Sequence, residues 1–114
     1  MMIKIYHNPR CRKSRETLSL IREAGHEPEI IEYLQNPPSA SELKELLKGM
    51  GKKPMEIIRK GEAVFKSNFK GKTFSDDEWI RIMVENPKLI ERPIVVKGDE
   101  VRLGRPPETV KEIL

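Results

Sequence analysis

Near its start the sequence reads Met2-Ile-Lys-Ile-Tyr-His-Asn-Pro-Arg-Cys11, and this segment is the most informative about the architecture because a short strand is followed directly by a turn that ends at a cysteine. Apolar and polar residues alternate over residues 2–6, which predicts a β-strand. Residues 11–24 then repeat apolar positions at helical spacing, and residues 29–33 predict a second strand. Two parallel strands joined by a helix form a right-handed β-α-β unit, so the chain is expected to open as an α/β protein.

The middle of the chain predicts helices. Ser39 with Glu42, and Ser75 with Glu78, have the spacing of capping boxes, in which a serine and a glutamate close the first turn of a helix. Residues 61–72, between these two helix starts, show no clear period. They are expected to form a long, partly packed loop.

The last third of the chain predicts a β-hairpin and a terminal helix. Residues 94–96 and 101–103 read as strands that flank the tight turn Lys97-Gly-Asp-Glu100. The double proline at residues 106–107 then begins a helix. The whole order, β-α-β, helical insertion and β-β-α, predicts a thioredoxin-like α/β fold with a mixed four-stranded sheet.

Length, composition and charge narrow the class of protein. A chain of 114 residues predicts a single domain, 1–114, whose helical insertion covers about residues 36–90. The net charge of +4 comes from 22 basic and 18 acidic residues that are interleaved, and only 5% of residues are aromatic. No nucleic-acid partner is expected, since so few aromatic side chains cannot form a stacking platform.

Neither a membrane span nor a signal peptide is visible in the sequence. No apolar run approaches the length that crosses a bilayer, and the first short strand is followed by polar residues. The protein is therefore expected to act in the cytoplasm as a monomer, with no membrane partner.

Cys11 is the only cysteine, and it falls where the first strand passes into the first helix. The helix N-terminus and the nearby cations of Arg10, Arg12, Lys13 and Arg15 favour its thiolate form, and Arg15 lies one turn along the same helical face. The alternative is a buried, inert thiol that packs as a small apolar side chain. A lone cysteine cannot form an intramolecular disulfide, so a cycle that oxidises it needs a thiol from outside the chain.

Ser14 stands where a second cysteine would complete a Cys-x-x-Cys motif, so a dithiol mechanism is excluded. Its hydroxyl could donate a hydrogen bond to the Cys11 thiolate or could serve the first turn of the helix. The two histidines, His7 and His26, have no metal-ligand spacing with the one cysteine. Neither a metal nor a bound cofactor is expected.

Four separated motifs resemble the arsenate reductase family that is coupled to glutathione and glutaredoxin. They are Ile5–Arg15, Ile57–Lys60, Arg92–Val96 and Arg102–Glu108, in the order and with the spacing of that family. The resemblance implies a thioredoxin-like fold in which one cysteine attacks arsenate, glutathione captures the adduct, glutaredoxin resets the enzyme and arsenite leaves. Arsenate, glutathione and glutaredoxin are then the expected partners, with glutathione as a co-substrate.

The resemblance also implies roles around the cysteine. Cys11 matches the nucleophile of the family, and His7 and Arg15 flank it at four-residue spacings. Together with Ser14, these residues form the predicted catalytic group. From the residues alone, His7 could tune the thiol or could close the loop by a hydrogen bond.

Three arginines match the positions that bind the oxyanion in the family, namely Arg59, Arg92 and Arg105. Guanidinium groups meet the paired oxygens of a tetrahedral anion with a geometry that lysine cannot reproduce. Without the resemblance, Arg59 could be the last-turn cation of a short helix, and the other two could pair with nearby glutamates. The Arg92–Pro93 bond also resembles the cis-proline of thioredoxin-like folds.

The sequence departs from the family pattern beside the cysteine. Family members carry small residues there, in the form Ala-Cys-Gly-Thr-Ser-Arg, whereas this chain has Arg10, Arg12 and Lys13. These cations could strengthen anion capture or could indicate another substrate of a glutathione-dependent reductase. A further alternative is a redox-sensing transcription regulator of the same superfamily that binds RNA polymerase, although Ser14 disfavours sensing through Cys-x-x-Cys.

Overall fold

The computed structural model describes residues 2–114, and Met1, the first residue of the predicted domain, lies outside the described residues. The chain divides into two compact units. The first consists of the described residues up to Asn36 together with Arg92–Leu114, and the second is Pro37–Glu91. The second unit therefore interrupts the first in the sequence.

The first unit is built on a four-stranded sheet. Its strands are β1 (Ile3–His7), β2 (Glu29–Glu32), β3 (Ile94–Lys97) and β4 (Glu100–Leu103), in the spatial order β2-β1-β3-β4. Strands β1 and β2 are parallel, whereas β1 with β3 and β3 with β4 are antiparallel. The predicted α/β class with a mixed four-stranded sheet is confirmed.

Two helices complete the first unit. Helix α1 (Arg12–Glu23) joins the two parallel strands, and a 3₁₀ helix (Pro107–Ile113) follows β4. Ile21 of α1 packs with Ile5 and Val95 of the sheet in a core where all three side chains are fully buried, and the 3₁₀ helix adds two further apolar side chains to it. The predicted terminal helix is thus present, in the 3₁₀ form.

The hairpin between β3 and β4 turns at a glycine. Lys97 pairs with Glu100, so Gly98 and Asp99 form a two-residue turn. The φ angle of Gly98 is 63°, in the left-handed region that glycine adopts without a steric penalty. The turn lies where the sequence predicts it.

The second unit is helical. It contains α2 (Ala40–Met50), α3 (Ala63–Asn68) and α4 (Asp76–Glu85), with short 3₁₀ helices at Pro54–Ile57 and Pro87–Leu89. Ile58 and Ile90, which follow these two 3₁₀ helices, form an isolated antiparallel β-bridge. The sequence-based prediction of helices in this part of the chain is confirmed.

Both predicted capping boxes are present. The Ser39 hydroxyl accepts a hydrogen bond from the backbone N–H of Glu42 at 3.1 Å, and the Ser75 hydroxyl accepts one from Glu78 at 3.2 Å. Each glutamate in turn accepts the backbone N–H of its serine. These reciprocal bonds satisfy N–H groups that have no partner inside the helix, and they fix where α2 and α4 begin.

The prediction of a loop over residues 61–72 is wrong in part, because α3 lies inside it. Phe65 of α3 is buried, and its ring stacks on Trp79 of α4 with 6.2 Å between the centroids. A six-residue helix has too few positions to show a periodic pattern, and this one is stabilised by tertiary packing instead of by its own propensity.

No helix within residues 2–114 combines the length and the apolar character needed to cross a membrane.

Candidate active site

Cys11 occupies the N-cap position of α1. Its backbone is extended, with φ −92° and ψ 123°, and its side chain makes no capping hydrogen bond. The backbone N–H of Cys11 donates to the carbonyl of Asn8 at 3.0 Å, which closes the turn that leads from β1 into α1. The thiol is half-buried and is left available for chemistry.

The surroundings of Cys11 lower the pKa of its thiol. Burial alone raises the pKa, because it disfavours the charged form. The backbone amide of Ser14, the guanidinium of Arg92 and the backbone amide of Lys13 act in the opposite direction, because each favours the charged form, and together they outweigh burial. The N-terminal turn of α1 and one arginine together stabilise the thiolate.

Arg92 is the cation that reaches the sulfur. Burial lowers the pKa of its guanidinium. Hydrogen bonding to Cys11 and the neighbouring Tyr33 phenol raise this pKa by more than burial lowers it, so the net shift is upward. The Nε atom of Arg92 is buried and has no hydrogen-bond partner among residues 2–114. A buried donor of this kind is costly to leave unpaired, and it suits an anion placed beside the thiolate.

Arg105 lies against the backbone of Arg92. One of its terminal nitrogens, Nη1, donates to the carbonyl oxygen of Arg92 at 3.1 Å. Both arginines precede proline, and both bonds, Arg92–Pro93 and Arg105–Pro106, are cis. The cis bond expected at Arg92–Pro93 is therefore present, and the structure brings two of the three predicted oxyanion arginines together in the first unit.

Arg59 belongs to the second unit. Its backbone N–H donates to the carbonyl of Leu89 at 2.8 Å, and its Nη1 lies 3.5 Å from a carboxylate oxygen of Glu91. Its Nε atom, like that of Arg92, is buried without a hydrogen-bond partner among the described residues. Arg59 follows the short 3₁₀ helix and is held by an ion pair, so it is not simply a last-turn cation.

His7 and Ser14 form a buried pair behind the turn. The Nδ1 atom of His7 lies 2.6 Å from the Ser14 hydroxyl, which also accepts the backbone N–H of Asn8 at 3.0 Å. When the imidazole carries its proton on Nε2, Nδ1 accepts the hydroxyl proton. The Ser14 hydroxyl is therefore engaged with His7 and Asn8, and it is the backbone N–H of Ser14 that faces the thiol.

Burial holds the pKa of His7 below its ordinary value of 6.5. The Glu32 carboxylate raises this pKa, while the charges of Arg22 and Arg15 lower it, and the net shift is downward. The imidazole is therefore neutral at neutral pH, as its hydrogen bond to Ser14 requires when Nδ1 is the acceptor.

Arg12 and Arg15, which lie close to Cys11 in sequence and were expected to stabilise its thiolate, make other contacts. Arg12 pairs with Glu16 at 2.9 Å on the exposed side of α1. Arg15 donates from Nη1 to the carbonyl of Pro9 at 3.0 Å, so it supports the turn. The expectation that neighbouring cations set the thiol pKa is corrected, because Arg92 is the cation among its leading causes.

Two further residues complete the site and are absent from the predicted set. Asn8 is buried, and its side-chain oxygen accepts the backbone N–H of Arg10 at 3.0 Å, which shapes the turn before Cys11. Tyr33 is 2% exposed and interacts with Arg92. An asparagine before a proline is a turn signal that could have identified the first, whereas nothing in the sequence links Tyr33 to a distant arginine.

Within residues 2–114, no group of three or more His, Cys, Asp or Glu side chains is placed to hold a metal ion.

These features place the protein in the class of thioredoxin-like thiol proteins. They are the strand order of the sheet, the thiol at the N-terminus of the first helix, and the cis-proline that follows Arg92, the arginine next to this thiol. Residues 6–113 match the ArsC family, and the chain belongs to this family.

Relatives and solved structures agree with this membership. The chain is 50% identical over 114 residues to the uncharacterized protein YfgD of Escherichia coli (strain K12), covering 98% of this chain and 96% of YfgD. It is 44% identical over 116 residues to the arsenate reductase of Haemophilus influenzae (strain ATCC 51907 / DSM 11121 / KW20 / Rd), covering 100% of both chains. A solved structure of an arsenate reductase from Vibrio cholerae matches with a TM-score of 0.94 and 47% identity, covering 100% of this chain and 98% of that one.

Proposed function

We propose that this protein is a monothiol arsenate reductase in which Cys11 is the nucleophile. The observation that carries the proposal is the half-buried Cys11 thiol, whose pKa is lowered by the first-turn amides of α1 and by Arg92. The family membership and the arsenate reductases among the relatives support the choice of substrate. A thiolate beside a buried arginine is suited to attack on an anion that the same arginine holds.

The reaction divides into steps whose atoms and electrons balance. The Cys11 thiolate attacks arsenic(V), a sulfur–arsenic bond forms, and an oxygen leaves as water after protonation. Glutathione displaces a second oxygen from the adduct, and a glutaredoxin thiol then attacks the glutathione sulfur. The mixed disulfide that results carries the two oxidised sulfurs, arsenic is reduced to the trivalent state, and hydrolysis of the remaining sulfur–arsenic bond releases arsenite and the Cys11 thiol.

Each predicted residue has a role in this proposal. Arg92, Arg105 and Arg59 bind the oxyanion. The Nε atoms of Arg92 and Arg59 support this role, because they are buried donors that have no hydrogen-bond partner among residues 2–114. His7 and Ser14 hold the turn that presents the nucleophile, and Arg15 fixes the same turn through its bond to a backbone carbonyl.

The remaining expectations complete the proposal. The chain works as one thioredoxin-like domain, 1–114, whose helical insertion covers about residues 36–90. No bound cofactor enters the cycle, since glutathione and glutaredoxin supply the electrons as co-substrate and partner. The enzyme is a cytoplasmic monomer.

A coupled assay tests the proposal. Purified protein is mixed with arsenate, glutathione, glutaredoxin and glutathione reductase, and the oxidation of NADPH is followed. Arsenate-dependent turnover is expected for the wild type, and Cys11→Ser is expected to reduce it to background while the variant keeps its circular dichroism spectrum and its affinity for sulfate.

Other outcomes of this assay would contradict the proposal. Equal turnover by Cys11→Ser would remove the cysteine from the mechanism. Thiol-dependent activity that needs another acceptor and does not respond to arsenate would favour a glutathione-dependent reductase of another substrate.

A further inference from the structure

The second unit contains a groove of about 360 Å³ that the proposed chemistry does not use. Its floor is aromatic. The buried rings of Phe65 and Trp79 are stacked, and Phe69 meets Trp79 edge-on with 6.3 Å between the centroids. Met55, which is 37% exposed, also lines the groove, so a flexible apolar side chain borders a rigid aromatic surface.

The aromatic side chains of the chain are concentrated at this place. All three phenylalanines and the single tryptophan of the sequence lie in one cluster, since Phe74 also contacts Trp79, with centroids 4.9 Å apart. Tryptophan and phenylalanine contribute large contact areas to protein interfaces. Phe65 and Trp79 are buried and Phe69 is half-buried, so Phe69 and the exposed Met55 supply the apolar surface that a ligand can reach in the groove.

Four lysines border the aromatic floor, namely Lys60, Lys66, Lys70 and Lys72. All four are exposed. No carboxylate lines the groove, and none of the four forms an ion pair with an acidic residue in the part of the chain that the structure describes. The groove thus joins an apolar surface to uncompensated positive charge.

We propose that this groove binds an acidic segment of a partner protein. One large apolar side chain of the segment packs against Phe69 and Met55, next to Trp79, and carboxylates on either side of it meet the lysines. Charge complementarity accelerates such an encounter and selects the partner, while the buried apolar contact holds it.

The type of cation favours an acidic peptide over a single small anion. Lysine is a point charge on a flexible stem, whereas arginine presents a planar fork that suits one carboxylate or one tetrahedral oxyanion. The arginines that the proposed chemistry uses lie in the candidate active site, whereas the described lining of the groove contains four lysines and no arginine. Four separate ammonium groups fit several carboxylates spread along a peptide.

Tryptophan fluorescence provides a direct test. Trp79 is the only tryptophan, so the emission of the full-length protein reports on the groove alone. The probe is the blocked nonapeptide Asp-Glu-Asp-Glu-Phe-Glu-Asp-Glu-Asp, titrated to millimolar concentration. A saturable change in emission with one-to-one stoichiometry by calorimetry is expected, and added salt is expected to weaken the binding.

Two control peptides separate charge from apolar contact. One replaces every acidic residue by its amide, and the other replaces phenylalanine by alanine. Both are expected to bind more weakly than the probe by at least about tenfold, because each removes one half of the recognition. Equal binding of the amide peptide would overturn the proposal.

Matched protein variants separate the groove from net charge. The double variant Lys66→Glu/Lys70→Glu is expected to weaken binding by at least about tenfold. The control Lys48→Glu/Lys111→Glu makes the same change in net charge at exposed lysines outside the groove lining, and it is expected to stay within about twofold of the wild type. The alkylation rate of Cys11 is expected to be unchanged in both variants.

Three further results would overturn the proposal. They are the absence of saturable binding by the probe, an equal loss of affinity in the groove and control variants, and tight binding of the small anion 8-anilinonaphthalene-1-sulfonate at the groove without binding of the peptide. The last result would assign the groove to a small anionic amphiphile.

Discussion

The thiolate form of Cys11 is stabilised through a balance of opposing contributions. Burial disfavours its thiolate, and the amide of Ser14, the guanidinium of Arg92 and the amide of Lys13 reverse that effect. The sequence alone identifies the cysteine and the helix N-terminus. It assigns the cation to a neighbour in sequence, because the contact with Arg92 depends on how β1 and β3 pair and cannot be read from local spacing.

Replacing Arg92 tests this balance. Arg92→Ala is expected to raise the pKa of Cys11, because it removes both a hydrogen bond and a positive charge from the thiolate. The same change is expected to weaken sulfate or arsenate binding by about 1.5–3 kcal/mol, the range for a lost hydrogen bond to a charged group. The pH dependence of iodoacetamide alkylation and calorimetry with sulfate measure the two effects.

The lowered pKa of Cys11 also makes the stability of the fold depend on pH. Because the folded-state pKa of Cys11 lies below its ordinary value, the thiolate stabilises the fold above that ordinary value, and this contribution is lost as the pH falls through the folded-state pKa. Arg92→Ala should therefore cost more stability at alkaline than at acid pH. Arg102→Ala is the control, since Arg102 pairs with Glu112. An unchanged Cys11 pKa in Arg92→Ala would contradict the account.

At the scale of elements, Gly104 fixes the contact between the end of β4, the cis-proline segment and α1. Its N–H donates to the carbonyl of Pro93 at 2.9 Å. A Cβ at this position would lie 2.7 Å from Oγ1 of Thr17 and 2.8 Å from Cγ of Pro93. Neither atom is the end of a flexible side chain, so glycine is required by this close approach.

Gly104→Ala is expected to destabilise the protein by about 1–3 kcal/mol, because the added methyl group overpacks this junction. Chemical denaturation measures the change in the free energy of unfolding. Gly61→Ala is the matched control, since a Cβ there meets no atom within 4 Å. A loss in Gly104→Ala no larger than that in the control would show that the junction can accommodate the methyl group.

Local signals explain which elements could be predicted. The capping boxes at Ser39 and Ser75 and the turn at Gly98 rest on contacts between residues close in sequence, so the boundaries of α2, α4 and the hairpin follow from the sequence. Helix α3 could not be predicted from local sequence, because its stability depends on the packing of the Phe65 ring against Trp79.

At the scale of the whole molecule, the order of elements was enough to predict the sheet and its class. The candidate site was predictable as far as its residues belong to recognisable motifs, and these include Cys11, Arg92 and Arg105. The interaction of Tyr33 with Arg92 and the ion pair of Arg59 with Glu91 could not be predicted, because each joins residues that only the folded chain brings together.

The proposed cycle needs the thiolate of Cys11 at working pH, and one measurement tests this most directly. Ultraviolet absorbance of the thiolate is followed through a pH titration of the wild type, with Cys11→Ser as the blank, and the signal is unambiguous because Cys11 is the only cysteine. The account predicts a pKa below the ordinary value of a cysteine thiol. A pKa at or above that value would contradict it.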